Sequence, residues 1–184
     1  MRAWHLRQAA RTALHGGVIA YPTEAVYGIG CLPWSRQAVE RVLRLKRRRH
    51  GRGLILLAAS FEQLEPLLDL AGLDRDRVLA TWPGPVTWVL PASHLTPAWV
   101  VGGKGSVAVR VTDFPPARRL CEITGPLVST SANPAGRPPA RSAFRVRTYF
   151  PTGIDYVVPG LAGPGRAPSE IREARSGAVL RKGG

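Results

Sequence analysis

Residues 107–131, VAVRVTDFPPARRLCEITGPLVSTS, decide the fold. The apolar runs at 107–111 and 127–131 suit strands, and 115–124 between them reads as a helix. The same alternation extends in both directions. Upstream, Leu6, Ala9, Ala10, Ala13 and Leu14 recur at helical spacing over 4–14, with Gly16-Gly17 as a stop. A strand at 18–21 is halted by Pro22, and Ser35 caps a helix carrying Val39, Val42, Leu43 and Leu45. A strand follows at 54–58. Ser60 with Gln63 then reads as a capping box opening a helix through Leu64, Leu67 and Leu68. A helix at 75–82 and a strand at 86–90 complete the upstream part. Downstream come a helix at 142–150 and strands at 156–158 and 178–180. Alternating strands and helices predict an α/β fold with a twisted sheet flanked by helices. The late strands lie too close together for crossover helices, so the sheet should be mixed parallel and antiparallel.

Composition agrees with one domain over 1–184. The chain has 184 residues, 45% apolar and 21% charged, which is globular rather than disordered. Its 20 glycines and 17 prolines predict short elements. No apolar run approaches the roughly 20 residues of a membrane span, and the N-terminus lacks the apolar stretch of a signal peptide. The expectation is therefore a soluble, cytoplasmic protein without membrane association. Cys31 and Cys121, with no C-x-x-C, argue against a zinc ribbon or a disulfide scaffold.

The charge is less ordinary. Twenty-six Lys and Arg against 12 acids give a formal net charge of +14, which favours polyanionic partners. Between Arg36 and Arg52 stand eight basic residues and one acid, Glu40, carrying half of that surplus. A second cluster, Arg137, Arg141, Arg145 and Arg147, contains no acid. Familiar nucleotide and hydrolase signatures are missing. Gly103-Lys104 is followed by Gly105 rather than Ser or Thr, and Pro33 replaces the third glycine of a dinucleotide fingerprint after Gly28 and Gly30. There is no G-x-S-x-G, no H-E-x-x-H, and no histidine with a second ligand at metal spacing.

Three segments place polar groups at strand ends, where open α/β sheets bind ligands. In Pro22-Thr23-Glu24-Ala25-Val26-Tyr27-Gly28-Ile29-Gly30 the hydroxyls of Thr23 and Tyr27 stand in an apolar loop; the same residues suit a strand-to-helix turn capped by Thr23. Lys46 and Arg48 end an amphipathic helix, where cations also complement the helix dipole. One of only three lysines in a chain with 23 arginines sits here, which suggests a specific task for its compact ammonium. In Ser129-Thr130-Ser131-Ala132-Asn133-Pro134, three hydroxyls and an amide can hydrogen-bond a phosphate or carboxylate without adding charge; a serine-rich turn reads the same way.

Taken together, these segments resemble the YrdC/TsaC family of threonylcarbamoyl-AMP synthases along essentially the whole chain. Residues 22–28 resemble its P-T-E-T/A-x-Y/F-G loop, and Lys46-Arg47-Arg48 its K-x-R. Residues 82–87 resemble W-P-G-P-L/V/M-T, 107–110 V-A-V-R, 129–133 S-x-S-A-N, and 168–171 P-S-E/T-I. The resemblance implies a YrdC-like fold, similar to dihydroxybutanone phosphate synthase. It also implies nucleotidyl transfer that makes threonylcarbamoyl-AMP and pyrophosphate from L-threonine, bicarbonate and ATP. The product feeds N6-threonylcarbamoyladenosine at tRNA position 37.

By the same resemblance Lys46, Arg48, Ser131 and Asn133 are the catalytic and nucleotide-facing residues, with Ser106 and Arg181 beside ATP. Thr23, Tyr27, Arg110 and Ser169 form the L-threonine site. No protein-held metal is implied; Mg2+ would be held through the phosphates of ATP. Implied partners are downstream threonylcarbamoyl-transfer proteins. The surplus charge, more than a nucleotide pocket needs, separately predicts weak electrostatic binding of tRNA or double-stranded RNA through arginines such as Arg47, Arg49, Arg141 and Arg145. The alternative is a basic RNA-binding or ribosome-maturation protein of the same fold. This sequence departs from the family pattern at Arg49, where proline is common, over 50–53, and at Ala25, where threonine is common.

Overall fold

The computed structural model describes residues 2–48, 54–165 and 169–183. The departures at 49–53, the RNA-binding role expected of Arg49, and the Pro168 of the last motif lie outside these residues. The elements run α1 (Ala3–Leu14), β1 (Ile19–Pro22), β2 (Tyr27–Cys31), α2 (Arg36–Leu45), β3 (Ile55–Ala58), α3 (Arg75–Leu79), β4 (Val86–Pro91) and β5 (Ser106–Val111). They continue with α4 (Pro115–Thr124), β6 (Leu127–Ser131), α5 (Ala143–Tyr149), β7 (Tyr156–Val157), β8 (Glu170–Glu173) and β9 (Val179–Arg181).

Among the described residues the strands form one sheet, in the order β7-β1-β2-β6-β3-β5-β4-β8-β9. It is mixed, as expected. β1 with β7, β3 with β5 and β4 with β8 run parallel, and the other neighbours run antiparallel. Strand alternation divides β1 between two cores. Ile19 and Tyr21 pack with Leu6, Ala9 and Ala13 of α1 and with Ala117 and Leu120 of α4. Val18 and Ala20 face the other side, where Ala38, Val39 and Val42 of α2 and Val146 of α5 cover the sheet. Helices thus lie on both faces. No helix of the described residues is long and apolar enough to cross a membrane.

Four expectations change. β2 is a strand the apolar pattern did not reveal, because two of its five residues are glycine. A Cβ on Gly30 would lie 2.2 Å from the Val128 carbonyl, so only a bare backbone lets β2 pair this closely with β6. β8 was hidden by its polar Glu-Ile-Arg-Glu sequence. The capping box at Ser60 opens no α-helix. Gln63 donates to the Cys121 carbonyl and accepts from the Ala59 amide, one residue before Ser60, so the reciprocal bond of a capping box is not made and only a short 3-10 turn forms at Glu65–Leu67. The helix at 75–82 stops at Leu79, consistent with the bias against helical backbone just before Pro83.

Candidate active site

Pro22 ends β1 directly opposite Tyr27 of β2, so residues 23–26 form a hairpin loop rather than the entry to a helix. Thr23 closes it, its amide and its hydroxyl both donating to the Val26 carbonyl at 2.9 and 2.8 Å. The loop rims a cavity of about 490 Å³ that is lined also by β2, β3, β4, β5, β6 and the β8–β9 hairpin. Thr23, Tyr27, Arg48, Ser106, Arg110, Ser131, Ser169 and Arg181 all line it. Eight of the ten expected site residues therefore come together. Lys46 and Asn133 stand behind Ser131.

Arg110, buried near the end of β5, projects toward the hairpin loop. Its Nη2 donates to Glu24 Oε2 at 3.1 Å, and Thr112 Oγ1 donates to Glu24 Oε1 at 2.6 Å. Thr112 in turn accepts from the Phe114 amide at 3.1 Å. Glu24 uses one edge of the guanidinium and leaves its remaining N–H groups for another acceptor. Across the cavity, Arg181 donates from Nη2 to the Ser169 carbonyl at 2.8 Å, and Ser169 Oγ meets Thr87 Oγ1 at 2.9 Å. Burial, and then the like charge of Arg110, pull the Arg181 pKa down. Two guanidinium groups thus confront one space. Ser106 donates to the Gly103 carbonyl at 2.9 Å, and Tyr27 donates to the Val158 carbonyl at 3.0 Å, so its ring serves as a wall.

At the opposite end the S-x-S-A-N segment is fastened from beneath. Lys46 follows α2 directly, and its Nζ donates to the Ser131 carbonyl at 2.6 Å and to Asn133 Oδ1 at 2.8 Å, with the Asn133 carbonyl as third acceptor. Ser131 Oγ donates to the same Oδ1 at 2.7 Å, and Asn133 Nδ2 donates to the Arg137 carbonyl at 2.7 Å. The ammonium therefore has an acceptor for each of its three N–H bonds. Burial, reinforced by the charge of Arg48, lowers its pKa to about 8.

Among the described lining residues, three arginines meet one carboxylate, Glu24, which is already engaged. No three His, Cys, Asp or Glu side chains converge to hold a metal among the described residues. A net-cationic cavity ringed by hydroxyls suits a polyphosphate together with a smaller anion. Sequence reasoning missed Glu24, Thr87 and Thr112. Glu24 had a signal, being the sole acid among the first 39 residues.

The Sua5/YciO/YrdC family model, described as telomere recombination, matches residues 12–183. A threonylcarbamoyl-AMP synthase of Stutzerimonas stutzeri is 55% identical over 97% of both chains. One from Pseudomonas aeruginosa is 53% identical over 94% of both. Among solved structures, P. abyssi Sua5 complexed with L-threonine superposes with a TM-score of 0.91 at 34% identity over the whole of this chain. This chain spans 55% of that Sua5. The motif order, the sheet and these similarities agree: the chain belongs to the Sua5/YciO/YrdC family.

Proposed function

We propose that this cavity is where the chain joins L-threonine, bicarbonate and ATP into threonylcarbamoyl-AMP with release of pyrophosphate, the product for which its relatives are named. The observation that carries this reading is the convergence of Arg48, Arg110 and Arg181 with the hydroxyls of Thr23, Ser106, Ser131 and Ser169 around one space.

The chemistry needs little else. Threonine's amine, once unprotonated, attacks the carbon of bicarbonate, whose hydroxyl leaves with an amine proton as water, giving a carbamate. A carbamate oxygen then attacks the α-phosphorus of ATP as the bond to pyrophosphate breaks. Negative charge gathers at both ends of that displacement, and fixed cations and hydroxyl donors stabilise it without a protein nucleophile.

In this account Arg110 holds the threonine carboxylate with the N–H groups that Glu24 leaves open. Thr23 and Ser169 set the limits of that pocket, and the Tyr27 ring forms its wall. Ser131, positioned by Lys46 and Asn133, faces the reacting phosphate with Arg48, while Ser106 and Arg181 lie beside the rest of the nucleotide. Magnesium enters on the phosphates of ATP as part of the substrate. The full chain acts as one catalytic domain in the cytoplasm and passes its product to threonylcarbamoyl-transfer proteins.

The surplus charge adds weak, sequence-tolerant RNA binding. Arg47 and Arg145 are exposed and suit phosphate contacts. Arg141 leaves that group, because its guanidinium is hydrogen-bonded to the protein's own carbonyls. Pyrophosphate release by the purified protein tests the reading. It should require threonine and bicarbonate together, and release that ignores either one counts against it.

A further inference from the structure

Residues 159–165, Pro-Gly-Leu-Ala-Gly-Pro-Gly, cross the outside of the cavity rim without helix or strand beyond a single bridge of Leu161 to Ser142. Such a sequence has little order of its own, since three glycines widen its unfolded ensemble and its two prolines donate no hydrogen bond. Its order comes from outside. On one side the Gly163 amide donates to the Thr23 carbonyl and the Gly165 amide to the Glu24 carbonyl, both at 2.8 Å. The strap thereby grips the backbone of the two residues whose side chains close the hairpin loop and pair with Arg110. On the other side Arg141 spreads its guanidinium over the strap, Nη1 donating to the Gly165 carbonyl at 2.9 Å and Nη2 to the Gly163 carbonyl at 3.2 Å. The backbone around Arg141 is fastened as well. The Ala162 amide donates to its carbonyl at 2.9 Å, and the Tyr27 amide donates to Ala140 at 2.7 Å.

We propose that Arg141 is a positioning residue of the threonine side of the cavity, holding the 159–165 strap against Thr23 and Glu24 so that Glu24 keeps Arg110 aimed. The inference rests on the reading that Arg110 takes the threonine carboxylate. The same two glycines receive Arg141 at their carbonyls and send their amides to the loop, so the link is direct. The fit at the loop is tight. A Cβ on Gly163 would lie 2.6 Å from the Glu24 carbonyl and 2.7 Å from Phe114 Cε2, and one on Gly165 would lie 2.9 Å from the same carbonyl. Phe114 also reaches Glu24 by another route, its amide donating to Thr112 and Thr112 to the carboxylate. The strap therefore touches both supports of Glu24. A guanidinium suits the task because its planar fork spans two carbonyls at once, which a point-like ammonium does not.

The test is threonine binding by calorimetry, ATP binding, and amide exchange of Gly163 and Gly165, on wild type, Arg141→Ala, Arg141→Lys and Gly163→Ala. Arg141→Ala should weaken threonine binding about tenfold or more, leave ATP binding within about twofold, and speed exchange at both glycines. Arg141→Lys should recover part of the loss. Gly163→Ala should reproduce it by pushing on the Glu24 carbonyl, and it stands in for Arg141→Ala if that variant fails to fold. Wild-type threonine affinity in Arg141→Ala overturns the proposal, as does equal loss of threonine and ATP. A wild-type protein that binds no threonine would instead count against the cavity assignment. Exchange then decides the strap alone, with unchanged protection in Arg141→Ala refuting it.

Discussion

Lys46 Nζ and Asn133 Oδ1 meet at 2.8 Å, 87 positions apart in sequence, and the Ser131 hydroxyl donates to that same oxygen. A single amide oxygen thus joins the end of α2 to the hydroxyl that faces the cavity. Lys46 acts here as an anchor for the loop that carries Ser131, with each N–H bond aimed at the loop.

Replacing Lys46 by alanine removes a donor from three oxygens, leaving Asn133 Oδ1 to the Ser131 hydroxyl, and lets Ser131 drift. By analogy with the loss of one preorganised donor, turnover should fall roughly 10²–10³-fold. The partly exposed position at the helix end predicts a folded variant. Circular dichroism beside the synthesis assay checks both, and near-normal synthesis by folded Lys46→Ala would remove Lys46 from the account.

The pH dependence has two opposite parts. Folding lowers the Lys46 pKa from 10.5 to about 8, so between those values the unfolded chain binds more protons than the folded one. This group's contribution to stability therefore rises with pH through that window. Activity should move the other way, because the neutral amine keeps two N–H bonds for three acceptors. Turnover at saturating substrate should decline above pH about 8, and Lys46→Arg, slower throughout, should lack that alkaline limb because arginine stays charged. An identical limb in both proteins assigns the titration elsewhere.

Arg110→Ala should raise the threonine KM far more than the ATP KM, since a carboxylate loses its forked donor. Arg110→Lys should rescue little, because an ammonium cannot serve Glu24 and a substrate carboxylate with the same planar geometry. If steady-state kinetics show ATP as the affected substrate, Arg110 belongs to the nucleotide side.

Gly30→Ala tests the packing beneath the site. Its Cβ would meet the Val128 carbonyl at 2.2 Å, and backbone cannot swing away as a flexible side chain can. Overpacking of this kind costs about 1–3 kcal/mol or more, read as a lowered Tm in thermal denaturation. An unchanged Tm would mean that β2 and β6 do not pair as described.

For RNA, Arg47→Glu with Arg145→Glu should weaken binding and flatten its salt dependence by about 0.7–0.9 log units per lost contact, with synthesis unchanged. Filter binding at several salt concentrations decides. Salt-independent binding would rule out phosphate contacts as its source.

Much of this was legible in the sequence because apolar runs and helical spacing mark the strands and helices that bury a core. β2 and β8 were not. One is built on glycines that lower its apolar signal, and the other on charged residues whose pairing with β4 is a tertiary fact. The ordered motifs exposed the ring of site residues but not their partners. Glu24 and Arg110 lie 86 positions apart, and nothing local pairs them. Arg141 looked like one more solvated arginine of a basic cluster, since a sequence does not say which guanidinium finds two carbonyls.

The most direct test of the central claim is mass detection of the product made by purified protein from ATP, threonine and carbon-13 bicarbonate. Threonylcarbamoyl-AMP carrying one heavy carbon is expected, formed with equimolar pyrophosphate and absent when threonine or bicarbonate is withheld. Active, folded protein that yields only ADP or AMP, with no heavy-carbon adduct, would contradict it.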